Sequence, residues 1–279
     1  MEKLSTLEQI CFSTTRIETT DEKGNNYSGT GFFFNLQVDK DKIVPLLITN
    51  KHVVKNMKKG LFRFTKAGMD GNPNYKEHFT ISYEDDFEKM WTFHPDDNVD
   101  LCALPIIVLT EAAKKLNNPL FFKAFNNSLI PNYDTIQSFD AVEDVIMVGY
   151  PNGIWDSANN MPIVRKGITA TQIRLDYNNT KAFLVDAAVF PGSSGSPVLL
   201  YNKGTFTDKN GNINIGKTRV FLLGIVNSVF LSNVDGDIRI ASIPTQQKLV
   251  ANSRIPNSIG NVIKAEVILD FIPLFQNNK

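Results

Sequence analysis

Residues 186–198 read Asp-Ala-Ala-Val-Phe-Pro-Gly-Ser-Ser-Gly-Ser-Pro-Val, and the interpretation of the chain begins with this stretch. Gly192 and Gly195 flank two serines and permit a tight turn in which successive backbone N–H groups point into one concavity. Such a concavity suits an oxyanion, and Ser194 within it suits a nucleophile. Taken alone, the stretch favours an ordinary Gly/Ser loop, so its meaning depends on the rest of the chain.

Short apolar runs recur along the 279 residues, and turn-forming Gly, Asn, Asp and Pro residues separate them. These runs are four to seven residues long, which is too short for most helices and is typical of buried strands. They predict an all-β fold rather than alternating strands and helices. Asn210-Gly211, between two extended stretches, predicts a hairpin turn. The main runs are 30–34, 43–49, 101–104, 145–148, 182–185, 197–200 and 220–226.

Two segments have helical patterns. Residues 110–116 form a short Ala/Lys-rich piece, and the apolar residues near the end of the chain recur at helical spacings. We therefore expect a helix over about 261–271, packed on the body by its apolar face. The polar stretches 66–98 and 201–218 predict long surface excursions.

Two further segments contain residues suited to acid–base chemistry. His52 follows shortly after the apolar run 43–49, and Asp100 directly precedes the apolar run 101–104. By itself, such a histidine is more often structural than catalytic, and such an aspartate is a common turn residue. Asp96 and Asp97 compete with Asp100, but they lie in the polar lead-in to that strand.

The three segments together resemble the trypsin/chymotrypsin-fold serine peptidases. The motif style is closest to the high-temperature-requirement proteases, with Thr-Asn-x-His-Val-Val at 49–54, Asp-Leu-x-Ala-Leu at 100–104 and the Pro-Gly-x-Ser-Gly segment within 186–197. The order histidine, aspartate, serine is that of this fold and not of α/β-hydrolases or subtilisins. Weaker matches are at 29–31, 148–153, 165–168 and 224–226.

The resemblance implies a fold of two six-stranded antiparallel β-barrels with a C-terminal helix. It implies a single peptidase domain over 1–279, with the first barrel in about 1–125, the second in about 126–250 and a C-terminal segment in 251–279. Too little chain follows the second barrel for a peptide-binding PDZ domain, so we expect none.

The resemblance also implies a serine endopeptidase that works through an acyl-enzyme. His52 would be the general base, Asp100 would orient it, and Ser194 would attack the scissile carbonyl. The backbone N–H groups of Gly192 and Ser194 would form the oxyanion hole. Asn227 would lie near Asp100.

Substrate preference follows from the same resemblance. Ala188, six residues before the nucleophile, would lie at the base of the primary pocket, and Val229 would narrow its wall. An uncharged base provides no ion pair for Lys or Arg. We therefore expect cleavage after small or medium apolar residues.

The chain departs from the family pattern at two positions. Ser196 replaces a glycine, which should leave the oxyanion hole intact. Ser193 stands where digestive members carry an aspartate that pairs with a newly cut N-terminus. Without that acid we expect no activation by N-terminal cleavage.

Composition excludes several other classes of function. Lys plus Arg and Asp plus Glu both number 29, so general binding to nucleic acid or to an anionic membrane is not expected. The three histidines, His52, His78 and His94, are widely spaced and the two cysteines are distant from each other, so no metal-ligand pattern appears and no metal site or cofactor is expected. The N-terminus lacks a secretory pattern and no apolar stretch is long enough to cross a membrane, which favours a reduced, cytoplasmic setting.

Two alternatives stay open at this point. The chain could be a catalytically silent binding module, although the three residues whose loss would mark one are present. It could also be a latent protease that a regulatory protein partner activates, since long loops make such regulation conceivable.

Overall fold

The computed structural model describes residues 4–238 and 249–276. Its strands are β1 (Thr14–Asp21), β2 (Asn26–Asp39), β3 (Lys42–Thr49), β4 (Met57–Ala67), β5 (Pro73–Tyr83), β6 (Thr92–Phe93), β7 (Cys102–Pro105), β8 (Leu120–Phe121), β9 (Phe125–Asn126), β10 (Asp144–Gly149), β11 (Ile163–Thr169), β12 (Ala182–Asp186), β13 (Pro197–Asn202), β14 (Thr205–Thr207), β15 (Ile213–Ile215), β16 (Arg219–Ile238) and β17 (Leu249–Lys264). Its α-helices are α1 (Thr6–Cys11), α2 (Lys51–Val54), α3 (Ile107–Lys115), α4 (Tyr133–Ser138) and α5 (Ile272–Gln276). Short 3₁₀ segments lie at Glu88–Met90, Asn127–Leu129, Pro151–Gly153, Tyr177–Asn179 and Ala265–Phe271.

The second half of the chain forms a closed barrel. Its strands follow the order β10-β11-β12-β17-β16-β13, and every neighbouring pair is antiparallel. This is a six-stranded barrel of the kind that the motifs imply. Because β17 belongs to the barrel, the barrel extends to Lys264, past residue 250.

The first half does not show the second closed barrel that we expected. Its seven-strand path, β5-β4-β1-β2-β3-β7-β6, ends at β5 on one side and β6 on the other, with β8 and β9 attached beside it. Closure would need pairing between the end strands, but β6 has only two residues. The chain between them packs instead, with the buried Phe87 ring lying against Gly60 of β4. The backbone N–H of Phe87 also donates to the Lys58 carbonyl of β4 at 3.2 Å, so this segment covers the edge by apolar packing and by a hydrogen bond.

Apolar residues in the barrel strands serve two cores. In β10, Val145 and Met147 point into the barrel, whereas Ile146 and Val148 face a cluster shared with the first half. This follows from the alternation of side chains along a strand. The shared cluster includes Phe32 and other phenylalanines, so the two halves of the chain pack on one common apolar core.

The C-terminal segment corrects the helix expected over 261–271. Residues 261–264 are the end of β17, where Val262 pairs with both Phe183 and Val226. The adjacent apolar residues Val262 and Ile263 face the two different cores, as in a strand buried on both sides. A short apolar run does not distinguish this case from a helix. A 3₁₀ segment and then α5 follow, so a helix does end the described chain.

Other local predictions fare differently. Helix α3 confirms the helical piece at 110–116 but begins three residues earlier, at Ile107. The Asn210-Gly211 turn joins β14 to β15, with Gly211 at a φ of 82°. The stretch 66–98 is not a simple surface excursion, because it contains the eleven-residue β5. Within the described ranges, no helix is long and apolar enough to span a membrane.

Candidate active site

His52 and Asp100 meet at the ends of two neighbouring strands. β3 pairs with β7 so that Thr49 lies opposite Cys102. His52 stands in the short α2 just beyond β3, and Asp100 stands just before β7. Their side chains are joined by a contact of 2.5 Å between Nδ1 and Oδ2, and the backbone N–H of His52 donates to Asp100 Oδ1 at 3.0 Å. Strand register therefore brings the two side chains together.

The backbone around Asp100 is fixed as well. Its carbonyl oxygen accepts from Asn50 Nδ2 at 2.9 Å. The side chain of Asp100 is 28% exposed and that of His52 is 49% exposed, so the imidazole remains accessible from the cleft. An imidazole with Nδ1 held by a carboxylate presents Nε2 to a partner.

The competing groups lie elsewhere. Asp96 accepts from the backbone N–H of Asn98, and Asp97 is fully exposed beside Lys51. His94 is buried, and its Nε2 lies 3.0 Å from the Val267 carbonyl oxygen. His78 Nε2 lies 3.2 Å from the Tyr75 carbonyl. The structure thus pairs His52 with Asp100, as the sequence predicts.

The Gly/Ser stretch forms the loop between β12 and β13. Gly192 and Gly195 have φ angles of 85° and 84°, which favour glycine. A Cβ atom on Gly195 would lie 1.9 Å from the carbonyl oxygen of Thr30, so the close approach excludes any side chain there. Gly195 therefore lets the loop between β12 and β13 pack directly on β2.

Thr30 links the two halves of the site. Its backbone N–H donates to the Ser194 carbonyl at 2.9 Å, and its Oγ1 donates to the Gly192 carbonyl at 3.0 Å. Its own carbonyl accepts from Thr49 Oγ1 at 2.7 Å. Thr30 is fully buried. One residue of β2 therefore connects the strand that leads to His52 with the loop that carries Ser194.

His52, Asp100 and Ser194 line one cleft of about 360 Å³. Its other lining residues are Val189, Phe190, Pro191, Val226, Asn227, Ser228 and Val229. Ser194 Oγ donates to the Asn227 carbonyl at 3.3 Å, and among the described residues it makes no hydrogen bond to His52. Catalytic hydrogen bonds are often long or poorly aligned without substrate, so this geometry is compatible with a catalytic serine.

The backbone N–H groups of Gly192 and Ser194 have no acceptor among the described residues. The Pro191 carbonyl accepts from Asn152 N–H at 2.5 Å, and the Gly192 carbonyl is held by Thr30. Because a trans peptide points its C=O and N–H in opposite directions, the Asn152 contact turns the Gly192 N–H away from Asn152.

A family model described as a trypsin-like peptidase domain matches residues 29–206, which include His52, Asp100 and Ser194. The chain belongs to this peptidase family. It is therefore a hydrolase that acts on peptide bonds, and the resemblance found in its motifs is confirmed. Asn227 and Val229 lie outside the matched residues.

The chain was also compared with solved protein structures. The peptidase is similar to catalytically active tobacco etch virus protease complexed with product, at 12% identity and a TM-score of 0.50 over 99% of this chain and 82% of that one. It is also similar to HL collagenase, at 10% identity and a TM-score of 0.48 over 96% and 95% of the two chains. A search of curated proteins finds no match.

The residues expected to set specificity are placed unequally. Ala188 is exposed and is not among the residues that line the cleft, and its carbonyl accepts from Arg165 Nη1. The next residue, Val189, is 2% exposed and lies over Gly260 at the base of the cleft. Val229 and Asn227 both line the cleft. The base and one wall of this cleft are therefore apolar.

Other reactive groups are absent from the cleft. Cys102 is buried among apolar residues, which raises the pKa of its thiol well above the usual value, and burial also raises the pKa of Cys11. Within the described ranges, no cluster of His, Cys, Asp and Glu could hold a metal ion. Among the residues that line the cleft there are two serines and no cysteine.

Three residues that hydrogen-bond to the loop between β12 and β13 have no predicted role from the sequence. Thr30, Asn152 and Arg165 occur in the weaker motif matches, but each acts across a distance that spacing does not reveal. Only the folded chain shows that all three hold the same loop.

Proposed function

We propose that the peptidase is a serine endopeptidase in which His52, Asp100 and Ser194 act as a catalytic triad. The observation that supports it most is the cleft itself, where an imidazole held by a carboxylate faces a serine beside two free backbone N–H groups. This arrangement supplies a base, a nucleophile and donors for a developing negative charge, which acyl transfer requires.

The proposed reaction proceeds in two stages. His52 Nε2 takes the proton from Ser194 Oγ as the oxygen attacks the scissile carbonyl. The Gly192 and Ser194 N–H groups donate to the resulting oxyanion. The C–N bond then breaks as His52 returns the proton to the leaving amine, which leaves an acyl-enzyme. Water repeats the sequence, with His52 again as base, and releases the acid and Ser194. Asp100 orients the imidazole and stabilises its charged form.

The proposed preference is for small or medium apolar residues before the scissile bond. The buried Val189 at the base of the cleft and Val229 in its wall support this, because neither provides a charge for Lys or Arg. The sequence predicts Ala188 at the base of this pocket; of the two neighbours, Val189 lines the cleft and Ala188 does not.

One observation supports a second candidate function. Ser194 Oγ donates to the Asn227 carbonyl rather than to His52, which would also fit a latent protease that a regulatory partner activates. The free N–H groups of Gly192 and Ser194 favour the preformed site.

The two cysteines, Cys11 and Cys102, are unpaired, which supports a reducing compartment such as the cytoplasm.

A peptide library with mass-spectrometric detection of the products tests this function. We expect internal cleavage by the wild-type protein after apolar residues, and none by Ser194→Ala. Cleavage after Lys or Arg would contradict the proposed preference. A folded wild-type protein that cleaves no better than Ser194→Ala would contradict the constitutive enzyme and favour the latent form.

A further inference from the structure

Arg165 extends from the barrel wall to the loop that carries the nucleophile. It lies on β11, opposite Met147 of β10. Its Nη1 donates to the Ala188 carbonyl, and its Nη2 donates to Ser193 Oγ at 2.9 Å. These two acceptors stand at the beginning and near the end of residues 188–194, which we call the oxyanion loop.

The second contact lies directly beside the nucleophile. Ser193 is fully buried, and its Oγ also accepts from the backbone N–H of Phe190 at 3.3 Å. Its backbone N–H donates to the Phe190 carbonyl at 3.0 Å, which closes a small ring of contacts. Because Ser193 precedes Ser194, its orientation sets the direction of the Ser194 N–H.

Arg165 has no anionic partner among residues 4–238 and 249–276. Its Nε is buried without a hydrogen-bond partner. Burial lowers the pKa of Arg165 to about 10, which still leaves the guanidinium charged at neutral pH. A half-buried cation without a counter-ion costs free energy, and an apolar side chain would fill the same space at lower cost. Packing alone therefore does not account for an arginine at this position.

We propose that Arg165 is a positioning residue that holds the oxyanion loop in the conformation that binds the developing negative charge. The proposal rests on the serine endopeptidase function given above and concerns how its site is kept ready. In digestive relatives, by resemblance, an aspartate at the position of Ser193 locks the loop after N-terminal cleavage. Here an internal guanidinium takes the place of the new N-terminal ammonium, and a serine hydroxyl takes the place of the aspartate. The loop is held without any cleavage step.

Hydrogen exchange tests the positioning role independently of catalysis. In Arg165→Met, the amides of Phe190 and Ser193 should exchange at least about tenfold faster, because Phe190 N–H donates to Ser193 Oγ and Ser193 N–H donates to the Phe190 carbonyl, and both bonds depend on the position of Ser193. The matched control is Lys166→Met, which removes the neighbouring charge on the same strand, where Lys166 pairs with Asp144 at 3.0 Å. Amides of β10 and β12 should be unchanged in both variants. Equal exchange of the loop amides in both variants would overturn the proposal.

The rate of reaction with a fluorophosphonate tests its consequence. The second-order rate constant should fall about 100-fold in Arg165→Met, the scale of losing one oxyanion donor, and stay at the wild-type value in Lys166→Met. Added guanidinium ion should restore part of the rate to Arg165→Ala and none to Lys166→Ala, a rescue that a packing role would not give. A rate in Arg165→Met equal to that of Lys166→Met would contradict the proposal.

The outcomes separate this proposal from the proposed function. If the wild-type protein does not react with the probe, the constitutive enzyme fails, and hydrogen exchange still decides the role of Arg165. If the wild-type protein reacts and Arg165→Met behaves like Lys166→Met in both measurements, the function stands and the role of Arg165 is refuted. Should Arg165→Met not fold, Ser193→Ala removes the same contact while it keeps the charge, and it should lower the rate constant with the fluorophosphonate; a wild-type rate constant in Ser193→Ala would overturn the proposal.

Discussion

The two halves of the candidate site are held by different means. His52 and Asp100 stand at the ends of adjacent strands, and register alone brings them within 2.5 Å. The oxyanion loop has no such neighbour. Hydrogen bonds hold it instead, from Thr30 of β2, Arg165 of β11 and Asn152 of the 3₁₀ segment Pro151–Gly153. The acid–base pair should therefore tolerate distant changes, whereas the nucleophile loop should respond to substitutions far from Ser194 in sequence.

The largest effect is expected from removing the nucleophile. Ser194→Ala should lower kcat by a factor on the order of 10⁴–10⁶, because it removes the hydroxyl that is proposed to form the acyl-enzyme. Turnover of a peptide ester measures it, with circular dichroism to show that the fold is kept. Ser157→Ala, an exposed serine outside the cleft, is the control and should keep the wild-type rate. Retained hydrolysis in Ser194→Ala would refute its assignment.

Breaking the acid–base pair comes next. Asp100→Asn should lower kcat by about 10⁴, because an amide that donates to Nδ1 favours the wrong imidazole tautomer. The loop amides should keep their hydrogen-exchange protection, since this half of the site is held separately. Asp97→Asn removes an exposed carboxylate from the same lead-in and should have no effect. Activity in Asp100→Asn near the wild-type level would place the orienting acid elsewhere.

Thr30 tests the dependence of the loop on distant contacts. Thr30→Val keeps the shape but removes the donor to the Gly192 carbonyl and the acceptor for the Tyr150 N–H. Leaving buried polar groups unpaired should lower the free energy of unfolding by about 1–3 kcal/mol. We also expect kcat to fall by about tenfold, the equivalent of about 1.4 kcal/mol in the barrier. Thr30→Ser retains the hydroxyl and should recover most of both, as urea unfolding and ester hydrolysis would show. If Val and Ser variants behave alike, the hydroxyl does not hold the loop.

The smallest effect concerns specificity. Val229→Gly should widen the cleft and raise kcat/KM for peptides with Phe or Leu before the scissile bond by about tenfold relative to Ala. Ala188→Gly is the comparison, because Ala188 is not among the residues that line the cleft, and it should leave the ratio unchanged. A larger change in Ala188→Gly than in Val229→Gly would restore the assignment made from sequence.

Sequence predicts the part of the site whose position follows from local structure, such as where a strand ends. Short apolar runs fix the strands, and the motif around His52 sits where β3 ends and α2 begins. The open edge between β5 and β6 was not predictable, because it depends on the packing of Phe87 against Gly60. The last strand was mistaken for a helix because Val262 and Ile263 serve two different cores.

The loop contacts show the same limit. Arg165 is far from Ser193 in sequence, and the alternation of β11 does not reveal which neighbour its side chain reaches. Likewise, Val189 rather than Ala188 lines the cleft, which is a difference of one residue in a loop, where no periodicity applies. Side-chain direction in loops follows from tertiary contacts and not from spacing.

The most direct test of the central claim is fluorophosphonate labelling followed by mass-spectrometric identification of the modified residue. We predict that the wild-type protein is modified at Ser194 alone, and that neither Ser194→Ala nor His52→Ala is labelled at a comparable rate. Modification of another residue, or labelling of His52→Ala as fast as wild type, would contradict a serine peptidase with this triad.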